Sequence, residues 1–181
     1  MKYISIIAVL LAMCLLFVGC KNSDQGSEPS QQVPTDPNGV PVETEPQELT
    51  FSYNGATVTL PGTFVDYTLM PLAADYTFLY AEAMVGLAGI EDLKEEVDPS
   101  VTSLETYAAY RANLVGGEAV QQDGLWTLTY EDLTQNEPQM LVCAFYETER
   151  GYWIIQSYCT SDVFENHQAD MWNYVKAVTF E

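Results

Sequence analysis

Positive charge is scarce in this 181-residue chain: 6 Lys and Arg stand against 26 Asp and Glu, a formal net charge of −20. That balance excludes a nucleic-acid partner, because phosphate binding depends on clustered cations, and it repels anionic lipid. Histidine is scarcer still. A single His167 excludes a multi-histidine metal site and any HExxH pattern. GxSxG elbows, P-loops and dinucleotide fingerprints are also missing. The sequence therefore offers no catalytic motif, no metal site and no cofactor. Long hydrophobic runs are lacking too: Ile4 to Val18, interrupted by Ser5, falls short of the roughly 20 apolar residues of a membrane span.

What the N-terminus does contain is Met1-Lys2, that apolar run, and Phe17-Val18-Gly19-Cys20. A positive start, a short apolar stretch and a small residue before the cut form a signal-peptide pattern, and the last four residues resemble a bacterial lipobox. Phe17 stands where leucine is usual. The resemblance implies cleavage after residues 1–19 and lipidation of Cys20, with diacylglycerol on the thiol and an acyl chain such as palmitate on the amine. Two such signals anchor a chain stably. Cys14 reads as one more small hydrophobe within the run.

Residues 20–48 then turn to Pro, Ser, Gln, Asp and Glu with hardly any large apolar side chain, the composition of a disordered tether. Its flexible reach is on the order of 30 Å. Asp36-Pro37-Asn38-Gly39 has a faint likeness to the start of a calcium loop, but the later oxygen ligands are missing and a turn is the better reading. The expected location is the extracytoplasmic face of the cell membrane, held by the N-terminal lipid.

Residues 49–181 are of single-domain size. Asn54-Gly55 between Leu49–Tyr53 and Ala56–Leu60 is a strong hairpin signal. Tyr76–Tyr80 and Ala83–Ile90 read as strands, with helix an alternative near Ala81–Val85. Thr102-Ser103-Leu104-Glu105 reads as a capping box opening a helix, whose face is Leu104, Tyr107, Ala108, Arg111, Leu114 and Val115 and whose end is Gly116-Gly117. Glu118–Gln122 pairs with Leu125–Glu131 across Asp123-Gly124. Met140–Glu147 and Tyr152–Cys159 form a central hairpin covered on each face. A second helix opens at Ser161 or Asp162, with Glu165 completing a capping box, and runs to Lys176 with Phe164, Gln168, Met171, Trp172 and Val175 inward. Ala177–Phe180 ends the chain as an edge strand. The sum is an α+β fold, a mostly antiparallel β-sheet flanked by helices.

Three strings, "VTLPGTF" after the first hairpin, "TSLETYAAYRANL" as the middle helix, and "GYWIIQSYCTSDVFENHQADMWNYVKAVTFE" as strand, closing helix and edge strand, make this order of elements resemble the PsbP-like fold. That fold is known from the extrinsic photosystem subunit and from small bacterial lipoproteins. The resemblance implies an α/β/α sandwich and a docking or accessory role without a shared catalytic centre.

Cys143 and Cys159 invite a disulfide in an exported chain. With Glu147 and Tyr152 flanking the turn, however, Cys143 faces Gln156 and Cys159 faces Met140, on opposite faces of the sheet. Two separate thiols are expected. His167 with Asp170 reads as a solvated pair rather than a general base. Glu95-Glu96 with Asp98, and Glu131-Asp132, read as loop charge, with weak calcium binding second. Of 12 tyrosines and 3 tryptophans most sit at core spacing, and Tyr152, Trp153 and Tyr158 are the candidates for a surface binding patch. Two functions follow from this reading: a non-catalytic module for an envelope protein or wall component, or a small hydrolase of wall or glycan substrates working through two converging carboxylates.

Overall fold

A computed structural model describes residues 47–68, 77–82 and 84–181. The expectations placed on residues 1–46, Cys20 among them, lie outside the described residues, as do Tyr76 and Ala83. Asn54 and Gly55, at φ 49° and 82°, turn the chain between β1 (Glu48–Tyr53) and β2 (Ala56–Pro61). Glu48, expected as the last tether residue, is thus the first residue of a strand. Asp123 and Gly124 do the same, at φ 53° and 82°, between β6 (Val120–Gln122) and β7 (Leu125–Asp132). In both places positive φ suits Asn, Asp and Gly and closes a two-residue hairpin.

The remaining strands of the large sheet are β3 (Val65–Asp66), β4 (Phe78–Ala81), β5 (Gly86–Leu93), β8 (Gln139–Glu147) and β9 (Gly151–Thr160). Seven strands run in the order β3-β4-β5-β9-β8-β7-β6, every pair antiparallel. The last strand, β10 (Thr179–Phe180), pairs with β2 and completes a separate three-stranded sheet ordered β1-β2-β10. The strand pattern alone implies a single sheet, and the structure divides it into two. Residues Ala81 and Val85, where a helix was an alternative, lie in strand and loop.

Two helices cover the large sheet, α1 (Leu104–Leu114) and α2 (Phe164–Lys176). Period-two alternation divides β8 and β9 between them. Leu141, Cys143, Phe145, Tyr152 and Ile154 pack with Tyr107, Ala108 and Ala112 of α1. Val142, Ala144, Trp153, Ile155 and Cys159 pack on the other face with Met171 and Val175 of α2 and with Ala56, Val58 and Leu60 of the small sheet. The chain is therefore an α/β/α sandwich, α+β and mostly antiparallel, as expected. Each large apolar side chain buried between the layers contributes about 1.5–3 kcal/mol.

Both helix starts differ from expectation. Ser103, not Thr102, is the N-cap: its backbone is extended (φ −156°, ψ 166°) and its hydroxyl accepts from the Thr106 N–H. Thr106 Oγ1 in turn accepts from the Thr102 and Ser103 amides, at 2.9 Å each, which does the work assigned to Glu105. Within α1 the buried stripe ends at Ala112, and Leu114 and Val115 face solvent. Helix α2 starts at Phe164 without a side-chain cap, because its N-cap residue is the apolar Val163; the Ser161 hydroxyl donates to Glu131 Oε1 at 2.7 Å.

Candidate functional site

Tyr152, Trp153 and Tyr158 do not make an exposed patch: they are 3 %, 1 % and 8 % accessible. Tyr152 and Tyr158 share one face of β9 and Trp153 takes the other. Helix α1 stacks Tyr107 on Tyr152 with ring centroids 4.7 Å apart, while Phe78 and Phe180 pack on Trp153 at 6.1 and 5.2 Å. Because β9 is the central strand and both faces are covered, aromatic rings on it become core. Cys143 and Cys159 are free, buried and opposite Gln156 and Met140 respectively, in the expected register.

The cations of the described residues gather at one end of the large sheet, among carboxylates that include the exposed Glu95, Glu96 and Glu149. At the β8–β9 turn, Lys94 Nζ lies 2.8 Å from Glu147 and donates to the Thr148 carbonyl at 2.8 Å, with the Tyr152 ring centroid 5.5 Å away. Arg150 makes a two-point pair with Glu91. Asp92 Oδ2 accepts from Tyr107 Oη at 2.7 Å and from Arg111 at 3.0 Å. Lys176 approaches Asp123 at 3.9 Å, beside the β6–β7 turn at the same end. These are the four cations of the described residues, and each faces a carboxylate. The hydrogen bond to Glu147 raises the Lys94 pKa, and that to Glu91 raises the Arg150 pKa. Burial pushes the Tyr107 phenol above the usual tyrosine range. The raised values keep Lys94 and Arg150 charged and Tyr107 protonated at neutral pH, so the cluster is suited to fixing α1 and the hairpin rather than to acid–base chemistry.

The opposite end is formed by the β7–β8 loop (133–138) and the β9–α2 connection. Ser161 N–H donates to the Pro138 carbonyl at 2.9 Å, joining the two. Glu131, Glu137, Asp162 and Glu165 are exposed here and Asp132 half-buried, with no salt bridge to a cation among the described residues. Asp132 Oδ1 accepts from the Thr134 amide and hydroxyl at 2.8 and 2.6 Å, a local turn. The loop is inverted in polarity. Leu133 is 69 % accessible, while Gln135 is 8 % accessible and its amide has no hydrogen-bond partner among the described residues. Gln139 Oε1, at the start of β8, is likewise unpartnered there. No periodicity signals this arrangement, because the loop carries none.

The other acidic candidates serve local structure. Asp98 accepts from the Ser100 amide and hydroxyl at 2.9 and 2.7 Å, and those bonds, the amide first, lower its pKa. Glu95 and Glu96 are exposed, His167 is half-buried on α2, and Asp170 is exposed. Among the described residues no three His, Cys, Asp or Glu side chains gather as a metal site.

No protein-family model matches the chain, and no curated protein sequence matches it. Among solved structures, cyanobacterial PsbP (CyanoP) from Synechocystis sp. PCC 6803 aligns at a TM-score of 0.50 and 12 % identity, covering 77 % of this chain and 95 % of its own. The Ran-binding protein Mog1p of Saccharomyces cerevisiae aligns at 0.46 and 11 %, covering 75 % and 96 %. At such identity the likeness to CyanoP concerns architecture alone: a mostly antiparallel sheet with two covering helices, the PsbP-like α+β fold.

Proposed function

We propose that the chain is a non-catalytic, membrane-anchored extracytoplasmic lipoprotein, a binding or accessory module for an envelope protein or wall component. The anchor rests on the apolar run closed by Gly19-Cys20 and the polar tether after it. The observation that carries binding is the partition of charge. The four cations of the described residues are paired at one end of the sheet, and the other end presents exposed carboxylates around a loop with an outward leucine. Such a field steers a partner of opposite sign and orients it before contact.

The test isolates the lipidated chain from intact envelopes after mild cross-linking, with Cys20→Ala as control. Mass spectrometry of the N-terminal peptide reads the lipid, and the captured proteins are identified in parallel. Diacylglycerol on Cys20 and one envelope complex enriched only with the wild type is the expected result. A specific turnover by the purified chain that one point mutation abolishes would sink the non-catalytic reading, and an unlipidated Cys20 would sink the anchor.

A further inference from the structure

The inverted β7–β8 loop is costly in isolation. An exposed Leu133 forgoes burial, and a buried amide without partners loses its hydration with nothing in return. Short loops usually solve both problems by pointing the leucine in and the glutamine out. The loop's footing is not loose: Asp132 closes the turn onto Thr134, Pro138 is tied to Ser161, and Gln139 enters β8 in register with Asp132 and Thr160. The loop is therefore held in a form that displays its one large apolar side chain at the tip of the acidic end. Glu131, Glu137, Asp162 and Glu165 surround that end, with no salt bridge to a cation among the described residues.

We propose that residues 133–138 are the docking element of the chain, with Leu133 as the anchor that enters an apolar pocket on a partner protein whose rim carries Lys or Arg. The assignment rests on the binding-module reading and deepens it. Charge complementarity selects the rim: carboxylates on two adjoining connections favour a basic surface and disfavour anionic lipid or a second copy of this acidic chain. A central apolar anchor surrounded by polar contacts is the usual layout of a protein interface.

The experiment places a photo-cross-linking residue at position 133 of the full lipidated chain in intact cells, and at exposed Val120 on β6 as control. The expected result is one protein linked from 133 and not from 120, through a peptide that carries apolar residues beside Lys or Arg. With the cross-linker at 133, Glu137→Lys should lower the yield at least tenfold, and reversing the charge of the linked basic residue should restore it. With the cross-linker at Asn136, Leu133→Asp should abolish capture. Glu137 and Leu133 are exposed, so neither change should move Tm, which separates lost docking from lost folding. Gln135→Met, near in volume and without the amide, should raise Tm. Linkage from 133 to lipid or to another copy of this chain, equal linkage from 120, or a lower Tm for Gln135→Met would overturn the proposal. A partner captured from 120 alone would leave the binding-module reading standing and remove only this loop from it. Capture at neither position from a chain that is lipidated would count against both.

Discussion

Tyr107 of α1 donates its phenolic O–H to Asp92 at the end of β5, at 2.7 Å, and Arg111 one turn later donates to the same oxygen at 3.0 Å. The helix is thereby fastened to the sheet by a carboxylate that is itself only partly solvated. Tyr107→Phe keeps the ring stacked on Tyr152 and removes one charge-assisted hydrogen bond, so it should cost about 1.5–3 kcal/mol. Urea unfolding reads the change as a lower midpoint with the slope unchanged. A midpoint equal to that of wild type would mean that water replaces the phenol without loss.

Gly89 and Gly86 of β5 are directly opposed to Phe78 of β4 and Tyr158 of β9, and each aromatic ring lies across its glycine. A Cβ on Gly89 would collide with the Phe78 ring itself, which is boxed in by Tyr80 and Trp153. Overpacking of that kind costs about 1–3 kcal/mol. Gly89→Ala should lower Tm, and adding Phe78→Leu should return part of the loss. If the double variant is no better than the sum of the singles, the collision is not the cause.

These glycine–ring pairs mark where the sequence stops being legible. The Asn54-Gly55 and Asp123-Gly124 hairpins can be read because their backbone angles select those residues locally. The β8–β9 register can be read to the residue, because a short polar turn fixes it and every opposed pair then follows. Tyr152, Trp153 and Tyr158 mislead, since whether an aromatic on a strand is core or surface depends on what covers each face, and that is decided by α1 and α2 far along the chain. The separate small sheet and the Gln135 loop are similarly the result of distant packing. The helix starts shift by one to three residues because Ser103, Thr106 and Ser161 choose among several nearby partners of similar strength.

The cap on α1 gives a local test. Ser103→Ala removes the acceptor for the Thr106 amide at 3.2 Å and should cost about 1 kcal/mol, whereas Thr102→Ala should cost much less. A larger loss from Thr102→Ala than from Ser103→Ala would return the N-cap to Thr102.

Cys143 and Cys159 are each buried, on opposite faces, and burial raises their thiols to about 12 and about 11. Thiolate is the reactive form. In the folded chain both should resist a thiol-specific reagent at pH 8, and both should react at once in denaturant, as followed by peptide mass. A Cys143–Cys159 disulfide in the untreated protein, seen as a linked peptide pair, would contradict the register.

The same groups set the behaviour of the fold in alkali. Cys143 and Cys159 rise from 9.0, and Tyr80 and Tyr146 rise from 10.0 to about 12, chiefly because burial disfavours the charged form. Below about pH 8 all four are protonated in the folded and unfolded chain alike, so their contribution to stability is complete and flat. As pH rises through 9 the unfolded chain releases its protons first and the folded chain binds more, so stability falls with rising pH until the folded pKa values are passed near 11 to 12. Unfolding midpoints measured at pH 7, 8 and 10.5 in high salt, which screens the chain's own negative charge, should be nearly level between the first two and lower at the third. Replacing both cysteines by alanine should lower the midpoint at pH 7 and flatten the part of the decline centred on pH 9, leaving the tyrosine part centred on pH 10. A decline of unchanged steepness in that variant would assign the alkaline loss to charge repulsion rather than to the buried thiols.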